Sequence, residues 1–170
     1  PDAAIASVAD QLTNALSHTA RRKPPIVFHS SGALASTELA ALQTIGASIA
    51  SVHPLMTFPR RSLSRAKQPH QLVHVPFAIE GDPRACHAAR KLVRAIGGEA
   101  FTLSAKNKPL YHAFGAFASP LLAASLTAAM ETGIAAGFTP EQARRRMRPI
   151  VERTILNFFT NGPDKSFSGP

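Results

Sequence analysis

The pattern of the sequence changes at Leu103, and this change limits the possible fold more than any other feature. Up to that point, short apolar runs bounded by glycine and proline alternate with stretches of helical spacing. Beyond it no strand pattern returns, and Ala113–Met130 contains no charged residue. We therefore predict an α/β domain over residues 1–103, followed by an all-α domain over residues 104–170.

Four short apolar runs are predicted to form the strands of the α/β domain: Ile26–His29, Ala47–Val52, Phe77–Glu80 and Phe101–Leu103. Between them, helical spacing covers Ala3–Thr19, the stretch from a cap at Ser36 or Thr37 to Gly46, and the stretch from a cap at Asp82 to Gly97. The order strand, short helix, strand predicts a parallel sheet with crossover connections.

The all-α domain is predicted to contain two helices. The first begins near Ser104 or Asn107 and runs toward Gly137, with Pro109 in its first turn. Its apolar residues at Leu110, Phe114, Phe117 and Leu121 repeat with helical spacing, which predicts a face packed in the core. The second opens at Thr139 with the spacing of a capping box, and Pro149 is predicted to kink it.

Lys108, Tyr111 and His112 are the best catalytic candidates. They lie at i, i+3 and i+4 and share one face of the predicted helix. An ammonium whose pKa is lowered by burial can pass protons near neutrality, and histidine titrates there without any shift. Each residue also has a structural interpretation: a solvated lysine, a tyrosine at a rim, a packed histidine. Lys106 is a rival to Lys108.

Two further histidines, His29 and His53, stand at predicted strand ends, where a side chain either lines a cleft or bonds to a loop. The seven histidines are scattered without metal-ligand spacing, so no metal site is predicted. Ser30 and Ser31 lack the surroundings of a nucleophilic serine. The single cysteine, Cys86, is predicted to pack inertly in a helix.

The net charge of +9 suggests a nucleic-acid partner. Much of this charge lies in three basic clusters, at residues 21–23, 60–67 and 144–148, and no aromatic residues are interleaved with them. We favour solvated basic surfaces over a polyanion groove, with a site for a phosphate-bearing small ligand as the intermediate alternative. The uncharged stretch of the long helix is diluted by glycine, serine and proline, which favours a buried or dimer-forming helix over a membrane span. Without a visible secretory signal, we expect a cytoplasmic, soluble protein.

A group of separated motifs resembles one known family. These motifs are Pro1–Ile5, His29–Leu34, His53–Phe58, Ala78–Asp82 and Lys108–His112. They resemble Rossmann-like proteins whose C-terminal half is catalogued as domain of unknown function 2520. These look like relatives of prephenate dehydrogenase, pyrroline-5-carboxylate reductase and deazaflavin-dependent NADP reductases. The resemblance covers nearly the whole chain.

The resemblance implies a parallel dinucleotide-binding sheet and an all-α domain that forms homodimers. It also implies NAD(P)-linked hydride transfer on an unidentified small substrate. The implied cofactor-binding positions follow three successive strands of such a sheet: Pro1 and Asp2, then His29, Ser30, Ser31 and Gly32, then His53 and Pro54. Ligands of open α/β sheets bind at these carboxyl ends.

The chain departs from the family because no glycine-rich phosphate loop occurs in it. We expect a fragment that lacks the first Rossmann strands and stops at Ser168–Pro170, where relatives continue. The leading hypothesis is therefore an incomplete oxidoreductase that uses NADP or NAD. The alternatives are a non-catalytic helical dimerisation or regulatory module and, less favoured, a basic nucleic-acid-binding protein.

Overall fold

The computed structural model describes residues 1–18, 23–58 and 72–166 of the chain. These residues divide into two compact units, Pro1–Ala116 and Phe117–Pro170. The division predicted after Leu103 therefore falls inside the first unit, ahead of the helix that carries Lys108.

The first unit is α/β, as predicted. It begins with a 3₁₀ turn, Asp2–Ala4, and helix α1, Ile5–Ser17, followed by strand β1, Ile26–His29. A 3₁₀ helix, Ser36–Ile45, leads to strand β2, Ser48–Pro54. Strand β3 (Pro76–Gly81), helix α2 (Pro83–Ala95) and strand β4 (Glu99–Thr102) follow, and a 3₁₀ turn, Ala105–Asn107, opens helix α3, Lys108–Ala116.

The four strands form one mixed sheet in the order β1-β2-β3-β4. The expected parallel pairing is present between β1 and β2 and between β3 and β4, but β2 and β3 are antiparallel. The Leu55 amide just after β2 donates to the Pro76 carbonyl at the start of β3, at 2.8 Å. The end of β2 therefore lies beside the start of β3. Two neighbouring strands arranged in this way run in opposite directions.

Helices cover both faces of the sheet. On one face, Ala50, Phe77 and Ile79 pack with residues of α2, including Cys86, which is buried as predicted. On the other face, Leu39 and Leu42 of the 3₁₀ helix pack with Ile49 and with Ala9 of α1. Because side chains alternate along a strand, the polar residues His29, Ser51, His53 and Glu80 share the face of Ile49.

Of the two predicted helix caps of this unit, the one at Ser36 or Thr37 is wrong, whereas Asp82 is confirmed at the cap position of α2. Ala35, rather than Ser36 or Thr37, stands at the cap position of the 3₁₀ helix. Asp82 is the N-cap of α2, but its carboxylate makes no capping bond and instead accepts from the Ile49 amide at 2.9 Å. In each case the polar side chain bonds to a residue that is distant in the sequence: Ser36 to the Glu80 carboxylate and Asp82 to the Ile49 amide.

The second unit is helical. A π-helical turn, Phe117–Leu121, contains Pro120 and is followed by α4, Leu122–Ala135, and α5, Pro140–Asn161. The predicted capping box at the start of α5 is confirmed, because Thr139 and Gln142 exchange side chain-to-backbone hydrogen bonds of 3.2 Å. Helix α5 continues through Pro149, and the predicted kink there stays a prediction.

The prediction that Leu110, Phe114, Phe117 and Leu121 pack in the core is wrong. The exposed fractions of these side chains run from 47% to 75%. Helical spacing identifies residues that share a face, but it does not show which side of the fold that face meets. The helical stretch Ala105–Ala135 is also apolar and long enough to cross a membrane by length and composition alone, which for a single helix is weak evidence.

Gly81 provides a test of the sheet geometry. It adopts a φ of 131°, and a Cβ added to it would lie 2.4 Å from the Ile49 carbonyl oxygen. We expect Gly81→Ala to lower the free energy of unfolding by at least about 2 kcal/mol, since strain and backbone collision combine. Chemical denaturation measures this loss.

Gly46→Ala is the matched control for this prediction. Gly46 also has a positive φ, 77°, but its nearest neighbour to an added Cβ is a Pro24 side-chain atom at 3.9 Å. It therefore reports the conformational cost alone, about 1–2 kcal/mol. Equal losses in the two variants would contradict the close approach at Gly81.

Candidate functional site

A buried lysine lies at the centre of the site. Lys108 is the first residue of α3, and its side chain is only 1% exposed. The ammonium Nζ donates to the Ser31 carbonyl oxygen at 2.8 Å and to the Ser51 hydroxyl oxygen at 2.5 Å. Lys106 is exposed. Of the two lysines, only Lys108 is buried, and its interpretation as a solvated lysine is wrong.

The surroundings of Lys108 shift the pKa of its ammonium in two opposite directions. Burial lowers the pKa of the Lys108 ammonium, because the charged form loses its hydration. The carboxylates of Glu80 and Asp2 raise this pKa, but neither forms an ion pair with the ammonium within the described residues. The charge is therefore held mainly by neutral oxygen acceptors.

The turn after β1 supplies the first of these acceptors. The Ser31 hydroxyl donates to Asp2 Oδ2 at 2.7 Å and accepts from the backbone amides of Ala33 and Leu34. The side chain of Ser31 thereby keeps its own carbonyl directed at Lys108. Asp2 joins the site through this bond, so two of the implied cofactor-binding positions, Asp2 and Ser31, are in contact.

His29 is engaged by the backbone of the same turn. Its Nδ1 accepts from the Ser31 amide at 3.2 Å, and its Nε2 lies 2.9 Å from the Ala35 carbonyl oxygen. A carbonyl only accepts, so Nε2 must carry the proton and donate. Both ring nitrogens of His29 are therefore bonded to its own loop, and the residue also borders the hollow described below.

His53 forms a close pair with Tyr111. Its Nδ1 lies 2.8 Å from the Tyr111 hydroxyl, and the two rings meet edge to face with centroids 5.5 Å apart. Burial raises the pKa of Tyr111 to about 12, so the phenol keeps its proton. The pKa of His53 is lowered, first by burial and then by the positive charge of Lys108.

Gly32 allows the imidazole of His53 to approach the turn. A Cβ added to Gly32 would lie 2.7 Å from His53 Nε2, closer than real Cβ contacts come. Any larger residue at this position would displace the ring. The glycine is therefore required by the site rather than by its backbone conformation.

Two parts of the site were missed by the sequence analysis. Ser51 is completely buried and stands opposite both His29 of β1 and Glu80 of β3 in the strand register. The Glu80 carboxylate accepts from the amide and the hydroxyl of Ser36, at 2.6 and 2.8 Å. A serine in the middle of an apolar strand, Ala47–Val52, was the available signal for Ser51.

The remaining predicted residues are more exposed. His112 is exposed on α3, so only Lys108 and Tyr111 of the three catalytic candidates are buried. It still lies close enough to His53 for its charge to lower the His53 pKa. Pro1 and Ser30 are exposed, and Pro54 is half-buried. Among the described residues, no group of His, Cys, Asp or Glu could hold a metal ion.

A hollow opens on the α2 face of the same strand ends, the face opposite to the one that carries Ser51 and His53. Its volume is about 510 Å³, which is in the range of small-molecule sites. His29, Ser30 and Pro54 form part of its wall. The rest is apolar: Phe28, Val52, Phe58, Leu72, Phe77 and Leu92.

These features define a class: an α/β unit with buried polar groups at the ends of its strands, followed by a helical unit. The family model "Domain of unknown function (DUF2520)" matches residues 75–170. The chain belongs to this family. No curated protein matches it.

Solved structures show the same fold. Protein TM1727 from Thermotoga maritima is 22% identical, with a TM-score of 0.74 over 100% of this chain and 60% of that one. The provisionally named NADP oxidoreductase BF3122 from Bacteroides fragilis is 15% identical, with a TM-score of 0.68 over 100% of this chain and 59% of that one.

Plasmodium falciparum pyrroline carboxylate reductase, solved with NADP bound, is 13% identical, with a TM-score of 0.62 over 93% of this chain and 56% of that one. The chain thus spans about 60% of the length of these structures. At these identities the likeness shows the fold alone.

The buried lysine predicts a specific loss of stability. We expect Ser51→Ala to lower the free energy of unfolding by about 1–3 kcal/mol, because the ammonium loses one of its two buried acceptors. Denaturant titration of both proteins measures the difference.

Ser30→Ala is the control, since Ser30 is exposed in the neighbouring turn. It should change the free energy of unfolding by no more than about 0.5 kcal/mol. If Ser51→Ala were as stable as this control, the hydrogen bond between Ser51 and Lys108 would not contribute to the free energy of unfolding.

Proposed function

We propose that the chain is part of an NAD(P)-dependent oxidoreductase that transfers hydride to or from a small substrate. The single observation that carries this is the convergence of Lys108, Tyr111 and His53 on the Ser31–Gly32 turn at the carboxyl ends of β1 and β2. Open α/β sheets bind their ligands at this edge. The distant likeness to NADP-dependent oxidoreductases supports the same function.

The residues present fit one half of such a cofactor. The strand-end turn and the adjoining hollow, with His29, Ser30 and Pro54 in its wall, offer an apolar surface edged by polar groups, which suits a nicotinamide ring. No glycine-rich loop for the pyrophosphate occurs in the sequence. When bound, the nicotinamide supplies the hydride, and the protein supplies orientation, exclusion of water and proton transfer.

Cofactor binding can be tested by fluorescence titration of the full-length protein with NADPH and NADH. We expect saturable binding of at least one of them. Ser30→Phe places a ring at the hollow and should weaken binding about tenfold or more, equivalent to ~1.4 kcal/mol.

Ser17→Phe adds the same ring to an exposed position of α1 and serves as the control for bulk and hydrophobicity. It should bind as the parent protein does. If neither cofactor changed its fluorescence with the parent, the proposed oxidoreductase function would be wrong.

We also propose that the protein forms a homodimer through its second unit. Support comes from large apolar side chains that are exposed there, among them Phe117 (70%), Leu121 (47%) and Phe159 (81%). Soluble proteins rarely leave such residues together in water.

Sedimentation of the full-length protein tests the dimer. We expect a dimer for the parent and a shift toward monomer for Leu121→Glu, because a charge at an apolar interface is costly. Glu131→Gln, at an exposed position of α4, is the control and should remain dimeric. A parent protein that is monomeric throughout, or that partitions into membranes, would contradict the proposal.

A further inference from the structure

The two ring nitrogens of the His53 imidazole differ in their contacts. Nδ1 is paired with the Tyr111 hydroxyl, whereas Nε2 has no hydrogen-bond partner within residues 1–18, 23–58 and 72–166. Nε2 lies directly over Gly32, where only the absence of a side chain leaves room for it. His29, by contrast, uses both ring nitrogens on backbone groups.

We propose that His53 is the proton-transfer residue of this site, that Nε2 is the atom that carries the proton, and that Tyr111 and Gly32 are its positioning residues. The inference rests on the proposed function and deepens it. The substrate it implies carries a carbonyl or imine at the reacting carbon, or the corresponding alcohol or amine.

The hydrogen bond between Nδ1 and the Tyr111 hydroxyl supports this role. When Nε2 is the atom that gains and loses the proton, Nδ1 is protonated in both the neutral and the charged ring, and the Tyr111 oxygen can accept from it in both. His53 can therefore gain and lose a proton at Nε2 without losing the bond that orients it.

The proton moves between Nε2 of His53 and the oxygen or nitrogen of the substrate. In the reductive direction the substrate carbon receives the hydride, and the electron pair of its double bond moves to oxygen or nitrogen. That atom takes the proton from Nε2, leaving a neutral imidazole whose remaining proton on Nδ1 is donated to the Tyr111 oxygen. In the oxidative direction neutral Nε2 accepts the proton.

Several charged groups bear on the titration of His53. Burial lowers its pKa most, the charges of Lys108 and His112 of α3 lower it further, and Asp2 of the N-terminal turn raises it. The pKa therefore lies below the ordinary value of 6.5. Reduction should weaken as pH rises through this pKa, because the charged form is lost, and oxidation should weaken as pH falls through it.

The first experiment needs no substrate. Nitrogen-15 NMR of histidine-labelled full-length protein, with the His53 signals assigned by their loss in His53→Gln, should show titration below 6.5. Lys108→Met should raise the His53 pKa, because a neighbouring positive charge is removed. Addition of NADPH should shift the His53 signals. If NADPH binds by fluorescence but leaves these signals in place, the inference is overturned and the proposed function survives.

The second experiment measures turnover by NADPH oxidation with a panel of carbonyl and imine compounds. We expect His53→Gln to lower kcat by about 10²–10⁴-fold and to remove the pH limb that matches the NMR titration. Tyr111→Phe and Gly32→Ala should lower kcat by about 10–100-fold with little change in KM for NADPH, as losses of orienting groups do.

Gly115→Ala is the control glycine on α3, because an added Cβ there makes only an ordinary contact of 3.5 Å with Leu55. A His53→Gln enzyme with the kcat and the pH profile of the parent would overturn the inference. Absence of NADPH binding by fluorescence would instead contradict the proposed function, and the NMR titration would still decide whether Lys108 lowers the His53 pKa.

Discussion

The burial of the Lys108 ammonium is the constraint on which the site depends. A buried charge is tolerated only when oxygen acceptors surround it, and here they come from two different strands, as the Ser31 carbonyl after β1 and the Ser51 hydroxyl in β2. The interaction therefore fixes the start of α3 against the ends of both strands. It also places Tyr111, one turn further along the helix, beside His53.

The same lysine also affects the electrostatics of the site. Its positive charge lowers the pKa of His53, and burial lowers its own pKa. Because its side chain is 1% exposed, direct contact with a substrate would require the site to open. An indirect role, through position and charge, agrees better with the geometry than the proton-donor role suggested by the sequence.

The α/β pattern up to Leu103, the helical remainder and the capping box at Thr139 could all be predicted, because each depends on neighbours within a few residues. The antiparallel pairing of β2 with β3 could not, since it depends on which edge of the sheet the connection returns to. The apolar face of Leu110 and Phe114 was recognised as a face, but its exposure depends on what packs against the helix.

The sequence by itself determined which side chains could form a site: Lys108 and Tyr111 are neighbours on one helical face, and His29, Ser31 and His53 stand at or just beyond strand ends. Tertiary structure decided how they are used. It buried Lys108, left His112 exposed and bonded both ring nitrogens of His29 to the backbone. It also left Nε2 of His53 without a hydrogen-bond partner in the part of the chain that the structure describes. The physical reason is that residue spacing along a chain fixes directions within one element. Burial and hydrogen-bond partners arise only where several elements meet.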